Sequence, residues 1–356
     1  MMKGLRLFLP AMAVMAVLIG AQSGWAQGCV VARLAMPVVG PSAGVTQALP
    51  DDESWFSCHR WEASASYRYF HSFRHFIGTT EQVQREIAHT QVNNVVNVFD
   101  YSGTFTVNRQ MSLFVDVPML ISRRFSEQNS SNPTHGRGIG DVSFGAQMWL
   151  FAAPEGRHNI QLGIGAKIPT GNPGVTDVSK SSNGTVKTVV VDQSIQPGDG
   201  GYGFSLSTQA YQGVGFLTLY GSGLYLFNPR DTNGVQTGRS QPAEQVMSVP
   251  DQYQFRAGAT TSTPGFRRSA MSFGIRWEGV PVRDAFGKSD GFRRPGYTLS
   301  VDPGFMVGRG KDMFSVNTPI AVRRNRARSV PDIVDNTWGD AAFADYQVVA
   351  SFSHHF

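Results

Sequence analysis

The sequence predicts an all-β fold, an antiparallel up-and-down transmembrane β-barrel of about twelve strands. Three observations predict it. Apolar and polar residues alternate with a period of two along many segments, charged residues avoid the apolar face of those segments, and short connections alternate with long ones. Composition agrees, because only 16% of residues are charged and glycine is abundant, at 39 of 356 residues. The mean hydropathy of −0.18 is too polar for a bundle of membrane helices.

The first 26 residues predict a secretory signal peptide. Lys3 and Arg6 precede an apolar run over 7–20, and small residues follow, ending at Gly24-Trp25-Ala26. The run is shorter than the roughly 20 residues that a membrane-spanning helix needs. Since no later stretch approaches 18 consecutive apolar residues, we expect an exported chain without a helical anchor.

The next segment, 27–60, contains three prolines and an acidic cluster but no convincing strand pattern. We expect it either to fold into the barrel as a plug or to form a disordered periplasmic leader. Cys29 and Cys58 are the only cysteines, and a pair in an exported chain favours one disulfide. Two unpaired thiols, or lipidation of Cys29 beside the cleavage site, are the alternatives.

The remaining residues, 61–356, form the expected barrel. The final strand places Tyr346, Phe352 and Phe356 on one face, with polar residues on the other. A last strand that alternates in this way and ends in Phe looks like the C-terminal signal by which bacterial outer-membrane barrels engage their assembly machinery. A soluble terminal strand would show the same pattern, so the other strands must decide.

Eleven further segments share this alternation, and their apolar sets are expected to face lipid. The sets are Trp61, Ala63, Ala65, Tyr67, Tyr69; Phe99, Tyr101, Phe105, Val107; Met111, Leu113, Val115, Val117, Met119, Ile121; Val142, Phe144, Ala146, Met148, Leu150; Ile160, Leu162, Ile164, Ala166, Ile168; Tyr202, Phe204, Leu206, Ala210; an ambiguous segment 215–227; Tyr253, Phe255, Ala257, Ala259; Met271, Phe273, Ile275, Trp277; Tyr297, Leu299, Val301, Phe305, Val307; and Phe314, Val316, Ile320, Val322.

Charged residues test these faces. None lies in the apolar sets, whereas the opposite, lumen-facing positions hold Glu62, Arg68, Asp100, Asp116, Asp141, Lys167, Arg256, Arg276, Glu278, Asp302, Arg323 and Asp345. A charge that faces lipid at the midplane costs about 2–4 kcal/mol, and a watery lumen accepts it. The separation therefore indicates a barrel. Pro118 and Pro319 lie inside strand segments and are expected at a bulge or rim.

Glycine-rich junctions between strands and loops carry a resemblance to a known family. They are Gly138-Ile-Gly-Asp-Val-Ser-Phe-Gly145, Lys167-Ile-Pro-Thr-Gly171, Pro197-Gly-Asp-Gly-Gly201 and Asp290-Gly-Phe-Arg-Arg-Pro-Gly296. In this order they resemble the transporter-like outer-membrane β-barrel family named for the meta-pathway of phenol degradation. The resemblance covers about 61–356, and it implies an outer-membrane barrel with a transport role.

The lumen-facing charges are nearly balanced, which favours cross-strand ion pairs over the single-sign ring of a charge-selective filter. Arg276 and Glu278 are our first candidates for the pore wall, although the pairs would also serve merely to tie strands together. We expect a passive outer-membrane channel for small solutes, with hydrophobic or aromatic compounds among the candidates. The alternatives are a sealed surface-binding or scaffold barrel and a lipid-modifying enzyme that uses a rim histidine with a nearby serine.

Partners follow from charge and compartment. Removal of Lys3 and Arg6 lowers the net charge from +5 to +3, too weak for nucleic-acid binding. Basic runs in two outer loops are expected to meet lipopolysaccharide phosphates: Arg283, Lys288, Arg293, Arg294 and Arg323, Arg324, Arg326, Arg328. The pattern predicts no catalytic residue, cofactor or metal, since His71 and His75 lie at a strand end without further ligands. Association of barrels into homo-oligomers is left open.

Overall fold

The computed structural model describes residues 57–151, 157–181, 184–266 and 268–356. The signal peptide expected at 1–26, Cys29 and all but the last four residues of the 27–60 segment lie outside the described residues. Their expected roles therefore stay predictions.

Strands make up most of the described chain. They are β1 (Trp61–Ile77), β2 (Thr80–Glu81), β3 (Val92–Thr106), β4 (Met111–Ser126), β5 (Thr134–Ile139), β6 (Val142–Trp149), β7 (His158–Ile168), β8 (Thr176–Lys180), β9 (Val186–Val190), β10 (Gly203–Val214), β11 (Leu217–Phe227), β12 (Thr232–Gln236), β13 (Val246–Ser248), β14 (Gln252–Ser262), β15 (Ser269–Val280), β16 (Gly296–Val301), β17 (Gly304–Arg309), β18 (Asp312–Asn317), β19 (Ile320–Arg326) and β20 (Ala341–His355).

Short helical pieces lie between the strands. They are the α-helices α1 (Val83–Ile87) and α2 (Val330–Val334), and the 3-10 turns Cys58–Arg60, Glu127–Asn129, Gln193–Ile195 and Pro242–Glu244. Within the described ranges, no helix is long and apolar enough to cross a bilayer.

One antiparallel sheet closes on itself to form the barrel. Around the wall the order is β1, β3, β4, β5/β6, β7, β10, β11, β14, β15, β16/β17, β18/β19 and β20, where a slash joins two segments that share one position. β20 then pairs with β1 from Glu62 opposite His355 to Phe76 opposite Ala341. The wall has twelve strand positions, as the sequence predicted. Closure removes the long free edges that an open sheet would expose to lipid, although β5 pairs only with β4 and β19 meets β20 only at Ile320 opposite Tyr346.

Three of the twelve positions hold two strand segments separated by a break. β4 pairs with β6 along its first half and with β5 along its second, and the change falls near Pro118. Pro118 has no N–H to donate, but its carbonyl accepts a bond from the Gly140 N–H at 2.7 Å. Pro303 and Pro319 stand at the other two breaks. Pro303 and Pro319 therefore lie between ladder segments, whereas Pro118 stays inside the β3–β4 ladder opposite Asp100 and lies where the partner on its other side changes.

Short and long connections alternate around the barrel. Those at one end span 107–110, 150–157, 215–216, 263–268 and 310–311, and those at the other end span 78–91, 127–133, 169–202, 228–251, 281–295 and 327–340; all of the second group except 127–133 are longer than any of the first. We call the two ends of the barrel the turn end and the loop end. In outer-membrane barrels short turns face the periplasm and long loops face outward.

The outward face of the wall is apolar and exposed. Along β15, exposed and buried residues alternate, and the exposed ones include Phe273 (63%) and Ile275 (52%). Tyr346, Phe352 and Phe356 are also exposed. Large apolar side chains arranged in this way would be unfavourable against water and are the surface that a barrel presents to lipid.

Candidate functional site

Charged side chains cross the middle of the lumen. This charge belt consists of Arg68, Asp100, Asp116, Arg256, Arg276, Glu278 and Asp302, all predicted from the sequence to face inward. They come from alternate positions of β1, β3, β4, β14 and β15 and from the break after β16. Asp116 is half-buried, and each of the others is at most 3% exposed. The structure thus brings together seven of the predicted lumen residues.

Asp302 organises one half of the charge belt. Its Oδ2 accepts a bond from Arg256 Nε at 2.8 Å and another from Arg276 Nε at 3.3 Å. Both guanidinium groups are buried, so this carboxylate supplies the counter-charge that two buried cations need.

The other half of the belt connects strands that are not neighbours. Gln347 on β20 donates to Glu278 on β15, which also lies 3.9 Å from Arg276. Arg68 on β1 lies within electrostatic reach of Asp100 and Glu278. The belt therefore spans the lumen as well as lining it.

A second cluster of predicted residues lies at the loop end. Asp141 Oδ1 accepts from the Gly171 N–H at 3.0 Å, and Oδ2 accepts from the Asp199 N–H at 2.9 Å. Lys167 Nζ contacts Asp199 and lies 3.9 Å from Asp141. These two predicted lumen residues fix both roots of the 169–202 loop.

The 169–202 loop crosses itself at its roots and then enters the barrel. A Cβ placed on Gly171 would lie 2.7 Å from Gly198 Cα, so the two backbones touch and only glycine fits there. Further along, the segment 191–196, which we call the plug, reaches the inner wall. Its Val191 and Ile195 are 1% and 0% exposed.

The plug packs on apolar lumen residues and bonds to polar ones beside them. Val191 and Ile195 cluster with four inward side chains: Phe70, Val96, Val98 and Leu120. Ser122 Oγ donates to the Ile195 carbonyl at 3.2 Å, and Ser194 Oγ donates to Asn94 Oδ1 at 3.1 Å. A Cβ on Gly136 would lie 1.7 Å from the Ile195 carbonyl oxygen, so the wall leaves space for the plug backbone.

A salt bridge links the plug to a different loop. Asp192 accepts two bonds from Arg294, at 2.7 and 2.6 Å, and lies 3.5 Å from Arg124. Burial opposes the charged form of Asp192, but Arg124 and Arg294 outweigh it and hold the pKa of this carboxyl well below its ordinary value. The carboxylate is therefore ionised at neutral pH, and we call this contact the latch.

Most of the basic loop residues point inward, whereas the sequence predicted that they face outward and meet lipopolysaccharide phosphates. Arg293 forms a buried bidentate pair with Asp284 at 2.6 and 2.5 Å, and Arg294 belongs to the latch. Arg326 pairs with Asp332, the residue that completes the capping box of α2 with Ser329. Arg283, Lys288 and Arg323 stay exposed. Acidic side chains in the loops thus form hydrogen-bonded pairs with three of the eight basic side chains that the sequence predicted to meet lipid phosphates.

Arg323 does not line the lumen. A bulge in β19 places Arg323 opposite Leu299, while Ala321 pairs with Ser300. Arg323 therefore shares the outward face with Leu299 and is exposed, and the buried residue is Arg324. The one-residue shift reverses the face that strict alternation predicted.

The remaining two inward candidates lie near the ends of the barrel. Asp345 is partly exposed at the loop end, where it accepts from Arg74 at 2.8 Å and from Arg324 at 2.5 Å. Glu62 lies at the turn end, 3.2 Å from His355. Both contacts lie away from the charge belt.

The described end of the 27–60 segment lies at the turn end. Arg60 is buried and donates to the carbonyls of Thr106 and Val107 at 3.0 and 2.8 Å. Cys58 is exposed, and its expected partner Cys29 lies outside the described residues, so the disulfide and the lipidation both stay predictions.

Sequence reasoning missed the plug. The described segment that packs on the inner wall at the loop end is 191–196, whereas the sequence offered 27–60 as the candidate plug. A signal was present, because the longest connection begins at Gly171 and ends in Pro197-Gly-Asp-Gly-Gly201. Closely spaced glycines at both roots of a long loop allow its backbone strands to cross.

The two histidines near the loop end of β1, His71 and His75, have well-defined ring partners. His75 bonds to Asp340 at 3.2 Å through Nδ1 and to the Val92 backbone through Nε2, and His71 Nε2 contacts Asn93. These ring contacts are with carboxylate, amide and backbone groups, not with a serine hydroxyl. Among the described residues, no group of three or more His, Cys, Asp or Glu is arranged to hold a metal ion.

Comparison with known proteins supports the fold. No family model matches the chain, so membership in the family that it resembles stays a prediction. No curated protein matches it either. Among solved structures, an outer-membrane channel from Pseudomonas putida F1 is similar, with a TM-score of 0.57 and 11% identity over 87% of this chain and all of that one.

Two further similar structures have lower scores. The translocator domain of the autotransporter NalP from Neisseria meningitidis has a TM-score of 0.43 and 11% identity, covering 88% of this chain and 92% of that one. The toluene transporter TodX from Pseudomonas putida has a TM-score of 0.39 and 8% identity, covering 86% and 90%. The sequence identities are low throughout, so the similarity concerns the fold alone.

The closed wall, the apolar outward face and the charged inward face together define a class. The protein is a bacterial outer-membrane β-barrel with twelve strands. Its lumen holds a charge belt at mid-height and a loop-derived plug at the loop end.

Proposed function

We propose that this protein is a passive outer-membrane channel for small solutes, closed in this structure by the plug. The observation that carries the proposal is that part of a loop packs against the inner wall, where Val191 and Ile195 are at most 1% exposed. Twelve strands about 4.8 Å apart and tilted by about 40° give a backbone radius of roughly 12 Å. Such a barrel is wider than one that its own side chains fill, and 191–196 occupies the extra space at the loop end.

The plug is held by contacts that release without breaking the wall. Its anchors include the side-chain bonds with Ser122 and Asn94 and the latch to Arg294. They also include the bond from Gln193 Nε2 to the Ser248 carbonyl at 2.8 Å, and each of them involves a side chain rather than the backbone ladder of the wall. β7 and β10 pair with each other up to Lys167 opposite Gly203, independently of the loop between them. The plug is therefore an excursion from a complete barrel.

The crossing of Gly171 and Gly198 offers a clean experiment. Because these backbones touch, residues 172–197 are removed and Gly171 is joined directly to Gly198. Asp141, Lys167 and Asp199 stay in place to hold the junction. We expect the deletion to give larger and longer conductance steps in planar bilayers than the full chain, because the loop end is opened.

A matched control shortens the same loop without touching the plug. β8 and β9 form an exposed hairpin in which Val178 pairs with Thr188, so residues 179–187 are replaced by Asn-Gly. This variant should conduct like the full chain. If the full chain and the plug deletion both stay silent while the purified barrels remain folded, the channel proposal is wrong.

The charge belt favours a second candidate, a sealed surface-binding barrel. Six of its seven members are at most 3% exposed, so the lumen is filled at mid-height in addition to the plug. A sealed barrel predicts silence in the plug deletion together with binding that depends on the outer loops. The conductance of that single variant therefore separates the two candidates.

The exposed basic residues support a proposed contact with lipopolysaccharide. Arg283 and Lys288 lie in the 281–295 loop, and Arg323 lies on the outward face toward the loop end. Cations at this height would meet lipid phosphates. This contact concerns three residues, fewer than the sequence suggested.

A further inference from the structure

Four apolar side chains form a patch on the inner wall. Phe70 pairs directly with Val96, and Val98 pairs directly with Leu120, so the four lie together on β1, β3 and β4. We call this set the lumen patch. All four are at most 7% exposed, and Val191 and Ile195 of the plug complete the cluster.

The surroundings of the lumen patch are polar. On the same inward face, Ser72 and Asn94 follow it toward the loop end, and Arg68 and Asp100 follow it toward the turn end. An uncovered apolar patch in a watery lumen loses about 25 cal/mol for each Å² that meets water. The patch therefore favours an apolar occupant, whether that is part of the chain or a solute.

The plug supplies that occupant with two side chains. The isopropyl group of Val191 and the sec-butyl group of Ile195 together hold about seven carbon atoms, near the size of a one-ring aromatic molecule. The rest of the plug bonds through polar groups, as Gln196 Nε2 does to the Val191 carbonyl at 2.8 Å. The plug thus presents an apolar group of ligand size to the lumen patch, while its other residues form polar bonds.

We propose that the lumen patch is a binding site for a small uncharged apolar solute, and that such a solute displaces Val191 and Ile195. The solute class is a one-ring aromatic or a short branched hydrocarbon, since Phe70 offers a ring for stacking and the three aliphatic neighbours offer no hydrogen bond. The site rests on the proposed channel function and names its substrate class. Displacement of the plug couples occupancy of the site to opening of the loop end.

Plug position is measured by thiol labelling. Ser194→Cys is introduced in a chain that also carries Cys29→Ser and Cys58→Ser, and its reaction with a membrane-impermeant maleimide is followed in proteoliposomes. Ser194 belongs to the plug and is buried against the wall, so labelling should be slow until the plug leaves. Fluorobenzene is the probe, and we expect it to raise the labelling rate by about tenfold at saturation.

Variants and other solutes make the result specific. The pair Phe70→Ala and Val98→Ser should abolish the effect of fluorobenzene, whereas benzoate and glucose should leave the rate of the parent unchanged. Gly136→Ala should raise the rate without any solute, because its new Cβ would overlap the Ile195 carbonyl. Lys187→Cys on the exposed hairpin should label quickly under every condition.

Three outcomes would overturn the proposal. They are an unchanged labelling rate with fluorobenzene, an equal response to glucose, or a Gly136→Ala variant that labels as slowly as the parent. If the 172–197 deletion conducts while fluorobenzene has no effect, the channel stands and the apolar site does not. If the deletion is silent, the channel itself has failed.

Discussion

The charge belt and the plug close the same lumen in different ways. The belt is built from wall residues, six of them fixed by strand ladders and Asp302 held at the break between β16 and β17. The plug comes from a connection and is fixed by a few side-chain bonds and by two apolar side chains on the lumen patch. A closure made by the wall belongs to the stability of the barrel, whereas a closure made by a loop moves separately. We therefore expect variants of the belt to change folding and variants of the plug to change opening.

The largest expected effect is on the free energy of unfolding, when the Asp302 carboxylate that pairs with two buried arginines is removed. Asp302→Ala leaves Arg256 and Arg276 without their shared partner and should lower the free energy of unfolding by about 3–5 kcal/mol. Urea unfolding of the purified barrel, followed by tryptophan fluorescence, measures this. Asp312→Ala is the control, because Asp312 lies in a half-exposed pair with His354 and should cost at most about 1 kcal/mol. Equal losses in the two variants would contradict the distinction between buried and exposed pairs.

A smaller effect, on the pH dependence of stability, should distinguish Asp251 from Asp192, two carboxylates at the loop end. Asp251 accepts bonds from the N–H groups of Asn228 and Ala285, at 2.6 and 2.8 Å, and burial raises its pKa to about 6. Because that value exceeds the pKa of an unfolded Asp, the folded state binds the proton more tightly. The free energy of unfolding should therefore rise by about 1 kcal/mol from about pH 7 to about pH 5.

The latch carboxylate should behave in the opposite way. The pKa of Asp192 is lowered well below 3.8, so its contribution is complete above the unfolded value and is lost only in stronger acid. The rise between about pH 7 and about pH 5 should thus disappear in Asp251→Asn and persist in Asp192→Asn, as measured by urea unfolding at each pH. A rise that survives Asp251→Asn would assign the proton to another group.

The smallest expected effect tests the corrected face of Arg323. Because this side chain points outward, Arg323→Ala in the plug-deleted barrel should leave conductance and cation-to-anion selectivity unchanged. Arg276→Ala in the same barrel removes a charge from the belt and should shift selectivity toward cations. Reversal potentials under a salt gradient measure both. A shift in selectivity caused by Arg323→Ala would show that Arg323 faces the lumen after all.

The sequence by itself determined the wall. Period-two alternation assigned the inward charges of the belt, and the spacing of the strand patterns located the six connections at the loop end, because both follow from the geometry of neighbouring residues along one strand. The sequence predicted that Pro118, which has no N–H to donate, lies at an irregular position of the wall, and it lies where β4 changes partner. These features need no knowledge of which distant residues meet.

The tertiary structure alone decided how the lumen is closed. Ile195 looks like any loop residue until it lies on Phe70 and Leu120, and Arg294 looks like a solvated cation until Asp192 approaches from another loop. Arg323 changed faces because of one bulge that the local pattern does not reveal. Loop side chains find partners far along the chain, and sequence periodicity carries no information about such meetings.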